Sequence, residues 1–326
     1  MSSTRLLEIN DLRVSFRTDA GEALAVDGVS FSVGAGETLG IVGESGCGKS
    51  VSALSILGLI ADPPGRILPG SSVRLRGEEL LTASPARLRE VRGGEVAMVF
   101  QEPMSSLNPV LRIGDQVAEA VRRHTELRGN AVNERVVALL DRVGIPDPAG
   151  RARAFPHQLS GGMRQRAMIA MALAGDPELL IADEPTTALD VTIQARILTL
   201  LDDLRRERNM ALVLITHDLG VVAQVADRVA VMYAGRIVEE GPSASLFSTP
   251  AHPYTTGLLR SIPDPDSPRD RLEAIPGSVP SPHAWPPGCR FHPRCTVVLD
   301  RCRTDDPSLM QAPGARAACW LLEEDL

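Results

Sequence analysis

An α/β protein with a parallel sheet covered on both faces by helices is the fold class that this sequence predicts, and three observations predict it. Short apolar runs at residues 38–42, 96–100, 179–182 and 211–215 alternate with segments of helical periodicity, the pattern of a sheet buried on both sides. Between the first run and a helix lies Gly-Glu-Ser-Gly-Cys-Gly-Lys-Ser at residues 43–50, a full match to the phosphate-loop pattern G-x-x-x-x-G-K-[ST]. The third run ends in two adjacent carboxylates, Asp183 and Glu184.

Taken in order, residues 6–33 alternate polar and apolar, with turn signals at Asp19-Ala-Gly21 and Asp27-Gly28, and predict an antiparallel strand pair or small sheet. A strand over 38–42 leads into the phosphate loop, and residues 50–60 carry helix periodicity. Pro and Gly break 65–94 into short strands and loops. The strand at 96–100 stops at Gln101. Helical spacing over 112–143 predicts a largely helical insertion, part of a helical subdomain of about 103–174 that closes with a helix at 160–174. Strand 179–182, helix 191–208 and strand 211–215 follow. After about Pro250 the composition shifts to Pro, Arg, Asp and Cys with little periodicity, which divides the chain into a domain over 1–250 and an extension over 251–326.

The 326 residues are 44% hydrophobic and 23% charged, enough to bury a core of one large domain with a small appendage. A net charge of -7 argues against wholesale nucleic-acid binding, which needs a basic face. No apolar stretch reaches the roughly 18–20 residues of a spanning helix. The N-terminus lacks the apolar core of a secretion signal. The expectation is a cytosolic chain whose membrane role, if any, runs through partners.

The phosphate loop works through its backbone. Gly43, Gly46 and Gly48 let successive N–H groups form a concave cradle for phosphate oxygens, with Glu44, Ser45 and Cys47 between them and Val51 just beyond. Lys49 sets a positive charge against the β and γ phosphates, and the Ser50 hydroxyl can ligate Mg²⁺. Asp183, at the carboxyl end of its strand, can hold Mg²⁺ through water, and Glu184 can polarise an attacking water. Gln101 and His217 also follow buried strands, and parallel strands present their carboxyl ends at one edge. Leu159-Ser160-Gly161-Gly162-Met163 opens a helix with an N-cap serine and two glycines, an anion site pointing out of its own domain. Alone, that segment is a plain helix cap.

Together, residues 43–50, Gln101, 159–163, 179–184, Ala188-Leu-Asp190 and His217 resemble the ATP-binding cassette of ABC transporters. The resemblance implies a P-loop NTPase cassette: a mixed, mainly parallel sheet core, an antiparallel β subdomain, a helical subdomain and, here, a small Cys-rich C-terminal extension. It implies that Ser50, Gln101 and Asp183 bind Mg²⁺, that Glu184 is the general base and that His217 senses the γ-phosphate. Asp190 falls in the loop that communicates across a dimer, and Phe16 aligns with the aromatic that stacks on adenine, although a core strand residue would look the same. Met163 stands where the family has Gln; since backbone and Ser160 do the phosphate work, the change is expected to tune function. Two cassettes pack head to tail, each ATP lying between one phosphate loop and the other's signature segment, so the chain alone is expected to hydrolyse ATP weakly.

Gln101-Glu-Pro-Met-Ser-Ser-Leu-Asn-Pro109, His252-Pro-Tyr-Thr255, Leu258-Leu-Arg-Ser-Ile-Pro263 and Ile275-Pro-Gly-Ser-Val-Pro-Ser-Pro282 are similar to the oligopeptide/dipeptide/nickel importer ATPases. That branch implies an ATPase on the cytoplasmic face of the membrane, a second and different ATPase chain, two transmembrane permease subunits and an extracytoplasmic solute-binding protein. Peptides are its commonest cargo and nickel chelates the alternative. Residues 103–109 form a breaker-rich loop suited to docking a permease helix. The rival of another class is a soluble non-transport ABC ATPase; such proteins commonly carry two cassettes or long coiled-coil insertions, which this chain lacks. A pure iron-sulfur carrier would leave the ATPase motifs unexplained.

Cysteines crowd the tail as Cys289-x5-Cys295-x6-Cys302-x16-Cys319. In a reducing compartment such clustering points to metal. Paired C-x2-C zinc knuckles are absent, and the wide spacings suit a [4Fe–4S] cluster, with Zn²⁺ or free and disulfide-bonded thiols as alternatives. Some related permease ATPases are described as holding such a cluster. The tail shows too little apolar periodicity for a core of its own, so a metal is expected to fold it.

Overall fold

The computed structural model describes residues 5–101, 106–186, 190–261 and 274–323. The chain forms two compact units that interleave in sequence: one takes Gly34–Glu37 and Thr82–Val213, the other Arg5–Val33, Thr38–Leu81 and Leu214–Leu326.

The second of these begins with β1 (Arg5–Thr18), β2 (Gly21–Gly34), β3 (Thr38–Val42), α1 (Lys49–Ile56), β4 (Gly65–Ile67), β5 (Ser72–Leu75) and β6 (Glu78–Glu79). A five-stranded sheet runs β2-β1-β5-β6, with β4 also on β1. The alternation expected at the N-terminus is real but shifts phase. Leu7 and Ile9 are buried, then Leu12 and Val14, and the change falls at Asp11, whose φ of 47° bends the strand. β3 is buried at all five positions, as a strand covered on both faces must be.

The other unit holds α2 (Pro85–Glu90), β7 (Val96–Val99), α3 (Ile113–His124), α4 (Asn130–Arg142), α5 (Pro148–Ala152), α6 (Gly161–Ala172), β8 (Leu179–Asp183) and α7 (Val191–Arg208). β7 and β8 pair in parallel. The helical insertion is two helices, each with one apolar stripe: Ile113, Val117 and Val121 on α3, and Val132, Val136, Leu139 and Leu140 on α4. β9 (Ala211–Thr216) supplies residues to both units.

The second unit then resumes with α8 (Leu219–Val225), β10 (Arg228–Tyr233), β11 (Arg236–Pro242), α9 (Ser243–Ser248), α10 (Pro253–Arg260), β12 (Met310–Ala312) and β13 (Ala315–Ala317). β10 runs parallel to β3, with Val231 opposite Val42, and antiparallel to β11. β13 adds to β11 and β12 to β13, so the tail's hairpin extends the sheet that carries the phosphate loop. The tail, expected to have too little apolar periodicity for a core of its own, pairs with a strand outside it. Phe291 and Tyr254 sit in one buried cluster with Val42, Val231, Tyr233 and Leu246, so the extension shares the core of this unit. Sequence periodicity inside the tail missed this because the partner surface lies far away in sequence.

Candidate functional site

The phosphate loop is held in shape by contacts that only its residue types permit. Gly43 has φ of 151°, and a Cβ there would lie 2.2 Å from the Met232 carbonyl oxygen. Lys49, the first residue of α1, donates from Nζ to the carbonyls of Gly43 at 2.7 Å and Glu44 at 3.0 Å. Its Nζ is also 3.8 Å from Cys47 Sγ. Cys47 is fully buried; burial pushes its thiol up despite the charge of Lys49, so it fills space beneath the loop. Ser45 and Gly46 are exposed, and Ser50 and Val51 half-buried.

Glu44 is the best-supported residue of the loop. Its N–H donates to the Tyr254 hydroxyl at 3.0 Å, and its carboxylate accepts two hydrogen bonds from Arg294, at 2.6 and 3.0 Å. Burial opposes the charge on Arg294, but the bonds to Glu44 outweigh it and hold its pKa above the ordinary arginine value. Sequence reasoning gives neither Tyr254 nor Arg294 a role at the phosphate loop. His252-Pro-Tyr-Thr was a visible motif, whereas Arg294, 250 positions from Glu44, carried no signal.

In the same unit, Phe16 is half-buried on β1 opposite Gly65, where a Cβ would come within 2.7 Å of its ring. His217 is exposed between β9 and α8.

In the other unit, Asp183 ends β8 and Glu184 follows, 4% and 8% exposed. Glu184 has φ of 46°, a left-handed conformation rare outside glycine, and its carboxylate accepts from Gln101 Nε2 at 3.0 Å. Leu159 is buried; Ser160 and Gly161 are exposed at the start of α6, where the Ser160 hydroxyl accepts from the Met163 N–H at 3.4 Å. Gly162 lets that helix close on α7: a Cβ would lie 2.9 Å from Ile193 Cγ2. Asp190 caps α7, accepting from the Ile193 N–H at 2.9 Å. Residues 102–105, 187–189 and 262–263, which include part of the expected docking loop at 103–109, lie outside the described residues.

The four tail cysteines are free thiols and line one cavity, together with Phe291 and Trp320. Burial, and then the neighbouring thiols, push Cys319 up to about 11; Cys289 is raised likewise. Among the described residues, no group of three or more His, Cys, Asp or Glu is arranged to hold a metal ion. No helix among them is long and apolar enough to cross a membrane.

Comparison with known proteins gives consistent matches. The family described as "ABC transporter" matches residues 26–187, and "Oligopeptide/dipeptide transporter, C-terminal region" matches residues 238–302. The chain is 50% identical over 321 residues to the oligopeptide transport ATP-binding protein AppD of Bacillus subtilis (strain 168), covering 98% of both chains. It is 50% identical over 315 residues to the dipeptide transport ATP-binding protein DppD of Escherichia coli (strain K12), covering 96% of both. Among solved structures it is similar to a dimeric, post-hydrolysis ATP-binding cassette bound to ADP and Pi, with a TM-score of 0.65 at 26% identity, covering 73% of this chain and 98% of that one. It is also similar to cbiO1 of Clostridium perfringens, part of an ABC transporter complex, with a TM-score of 0.64 at 26% identity, covering 76% and 92%.

Proposed function

This chain belongs to the ATP-binding cassette family of ABC transporters, in its oligopeptide/dipeptide branch, and from that premise we propose how it works. It is the ATP-hydrolysing subunit of a peptide importer. One observation carries this reading: a complete phosphate loop and the oligopeptide/dipeptide C-terminal region stand on the same chain. We place the functional boundary near residue 250, with the cassette before it and the extension after it.

ATP enters a loop whose lysine is engaged with its own backbone. Lys49 Nζ leaves the carbonyls of Gly43 and Glu44 for the β and γ phosphates, and the loop N–H groups supply further donors. Phe16 stacks on adenine. The Ser50 hydroxyl, Gln101 amide oxygen and Asp183 carboxylate, each a hard oxygen donor, would hold Mg²⁺, which would neutralise phosphate charge. Glu184 is the general base, exchanging its bond from Gln101 for the proton of the attacking water. Water attacks the γ-phosphorus, the bond to the bridging oxygen breaks, and ADP and phosphate leave. His217 hydrogen-bonds the γ-phosphate. Ser160 and the glycine-rich start of α6 contact the ATP held by a partner cassette, and Asp190 communicates between the two sites. The partners are a second, different ATPase chain, two transmembrane permease subunits and an extracytoplasmic solute-binding protein. The chain is peripheral at the cytoplasmic membrane face and takes no nucleic acid.

From the thiol chemistry of the set, we propose that Cys289, Cys295, Cys302 and Cys319, which line one cavity, would hold a [4Fe–4S] centre, with Zn²⁺ as the alternative. Such a centre would supply folding energy to the extension. Iron and zinc analysis of anaerobically purified protein decides between them: colourless, zinc-loaded protein refutes the cluster.

The function is tested by reconstituting the native complex in vesicles and measuring ATP-driven peptide uptake. Glu184→Gln should keep ATP binding, slow hydrolysis by about 10²–10⁴-fold and stop uptake. Uptake by that variant at the normal rate overturns the mechanism.

A further inference from the structure

Glu44 is gripped at three points. Its N–H donates to Tyr254, its carbonyl accepts from Lys49, and its carboxylate takes both terminal nitrogens of Arg294. The grip is itself rigid. Arg294 is 7% exposed, and its Nε donates to the Pro276 carbonyl at 2.8 Å, so the guanidinium plane is set from both ends. Tyr254 is fully buried, its ring 4.7 Å from Tyr233 and 5.4 Å from Phe291. Its helix starts where the buried Glu239 carboxylate accepts the N–H groups of Ala251 at 2.8 Å and His252 at 2.9 Å.

We infer that Arg294 and Tyr254 are positioning residues for ATP: through Glu44 they hold the phosphate loop in its binding shape, so the C-terminal extension sets nucleotide affinity. Two physical effects point the same way. Gly43, Gly46 and Gly48 all have positive φ (151°, 79° and 102°), and so glycine-rich a segment has many alternative shapes that do not cradle phosphate. Fixing its second residue by main chain and side chain removes many of them before ATP arrives. Glu44 is also the only acid within residues 43–50, and unpaired it would repel the phosphates. Pairing it with Arg294 cancels that charge without taking the guanidinium to the nucleotide.

The inference rests on the reading that residues 43–50 hold ATP. The test is equilibrium binding of a fluorescent ATP analogue with Mg²⁺ to the purified full-length chain, alongside its thermal unfolding midpoint. If release leaves the competent loop shape one-tenth populated, Arg294→Gln weakens binding about tenfold. Tyr254→Phe, which keeps the ring and loses one hydrogen-bond acceptor, weakens it about threefold. Arg294→Lys recovers part of the loss. Adding Glu44→Gln to Arg294→Gln recovers only the part of the loss that comes from the uncompensated acid, and the part that comes from the released loop remains. Arg301→Gln, which breaks the ion pair with Glu323 elsewhere in the tail, serves as the control for tail stability and leaves affinity unchanged.

Wild-type protein that binds the analogue while Arg294→Gln and Tyr254→Phe bind it equally well overturns the positioning role and leaves the ATP reading standing. Affinity that merely tracks the unfolding midpoint, Arg301→Gln included, also overturns it. Wild-type protein that does not bind the analogue overturns the ATP reading itself. Should Arg294→Gln not fold, Tyr254→Phe carries the same readout.

Discussion

Phe291→Ala removes the side chain through which the extension joins the core beside the phosphate loop. Phe291 is 3% exposed, with its ring edge-on to Tyr233 (88°, centroids 5.2 Å apart) and 5.4 Å from Tyr254. Truncating a buried phenylalanine costs about 3–5 kcal/mol through lost transfer energy and the cavity left behind, and two aromatic pairs put this site at the upper end. With a urea sensitivity of about 2–3 kcal/mol per molar, a loss of about 4 kcal/mol lowers the unfolding midpoint by about 1.3–2 M. Urea titration followed by far-UV circular dichroism reads the whole chain. The fluorescence of Trp285 and Trp320, both in the extension, reads the tail. The two signals should shift together, since the extension and the loop-bearing sheet share one core. Phe291→Leu, which keeps most of the volume but loses both aromatic pairs, should cost less, about 1–3 kcal/mol. A midpoint within about 0.3 M of wild type, or a fluorescence transition that moves while dichroism stays, would refute the shared core.

Gly162→Ala drives a methyl group to 2.9 Å from Ile193 Cγ2, so it should destabilise by about 1–3 kcal/mol, and Ile193→Ala in the same chain should recover most of the loss; thermal unfolding of the single and double variants checks this. Burial pushes the Asp27 carboxyl up, but hydrogen bonds and charge from Arg236 and Arg290 outweigh it and leave the pKa below 3.8. A depressed folded-state pKa gives stabilisation that is present above the unfolded value and lost as pH falls through the folded one. Asp27→Asn should therefore be less stable at neutral pH and lose less stability than wild type below about pH 4, which a series of unfolding midpoints against pH reads directly.

Much of this protein is legible in its sequence, because the nucleotide chemistry is written in local patterns. The phosphate loop, the strand ending in Asp183 and Glu184, and the serine-capped start of α6 each need only a few adjacent residues of the right type, and each falls where periodicity places it. Helices α3 and α4 are legible because a one-sided apolar stripe repeats within a single segment. The sequence-predicted elements end at residue 215, short of β10 and β11, and the tail shows too little apolar periodicity for a core of its own. Tertiary structure alone decides that Phe291 belongs to the same core as Val42, that β13 pairs with β11, and that Arg294 meets Glu44 across 250 positions. Such contacts are chosen by burial and charge pairing between surfaces remote in sequence. A local pattern records which residue types a segment needs, whereas it carries no record of which distant segment will supply the other half.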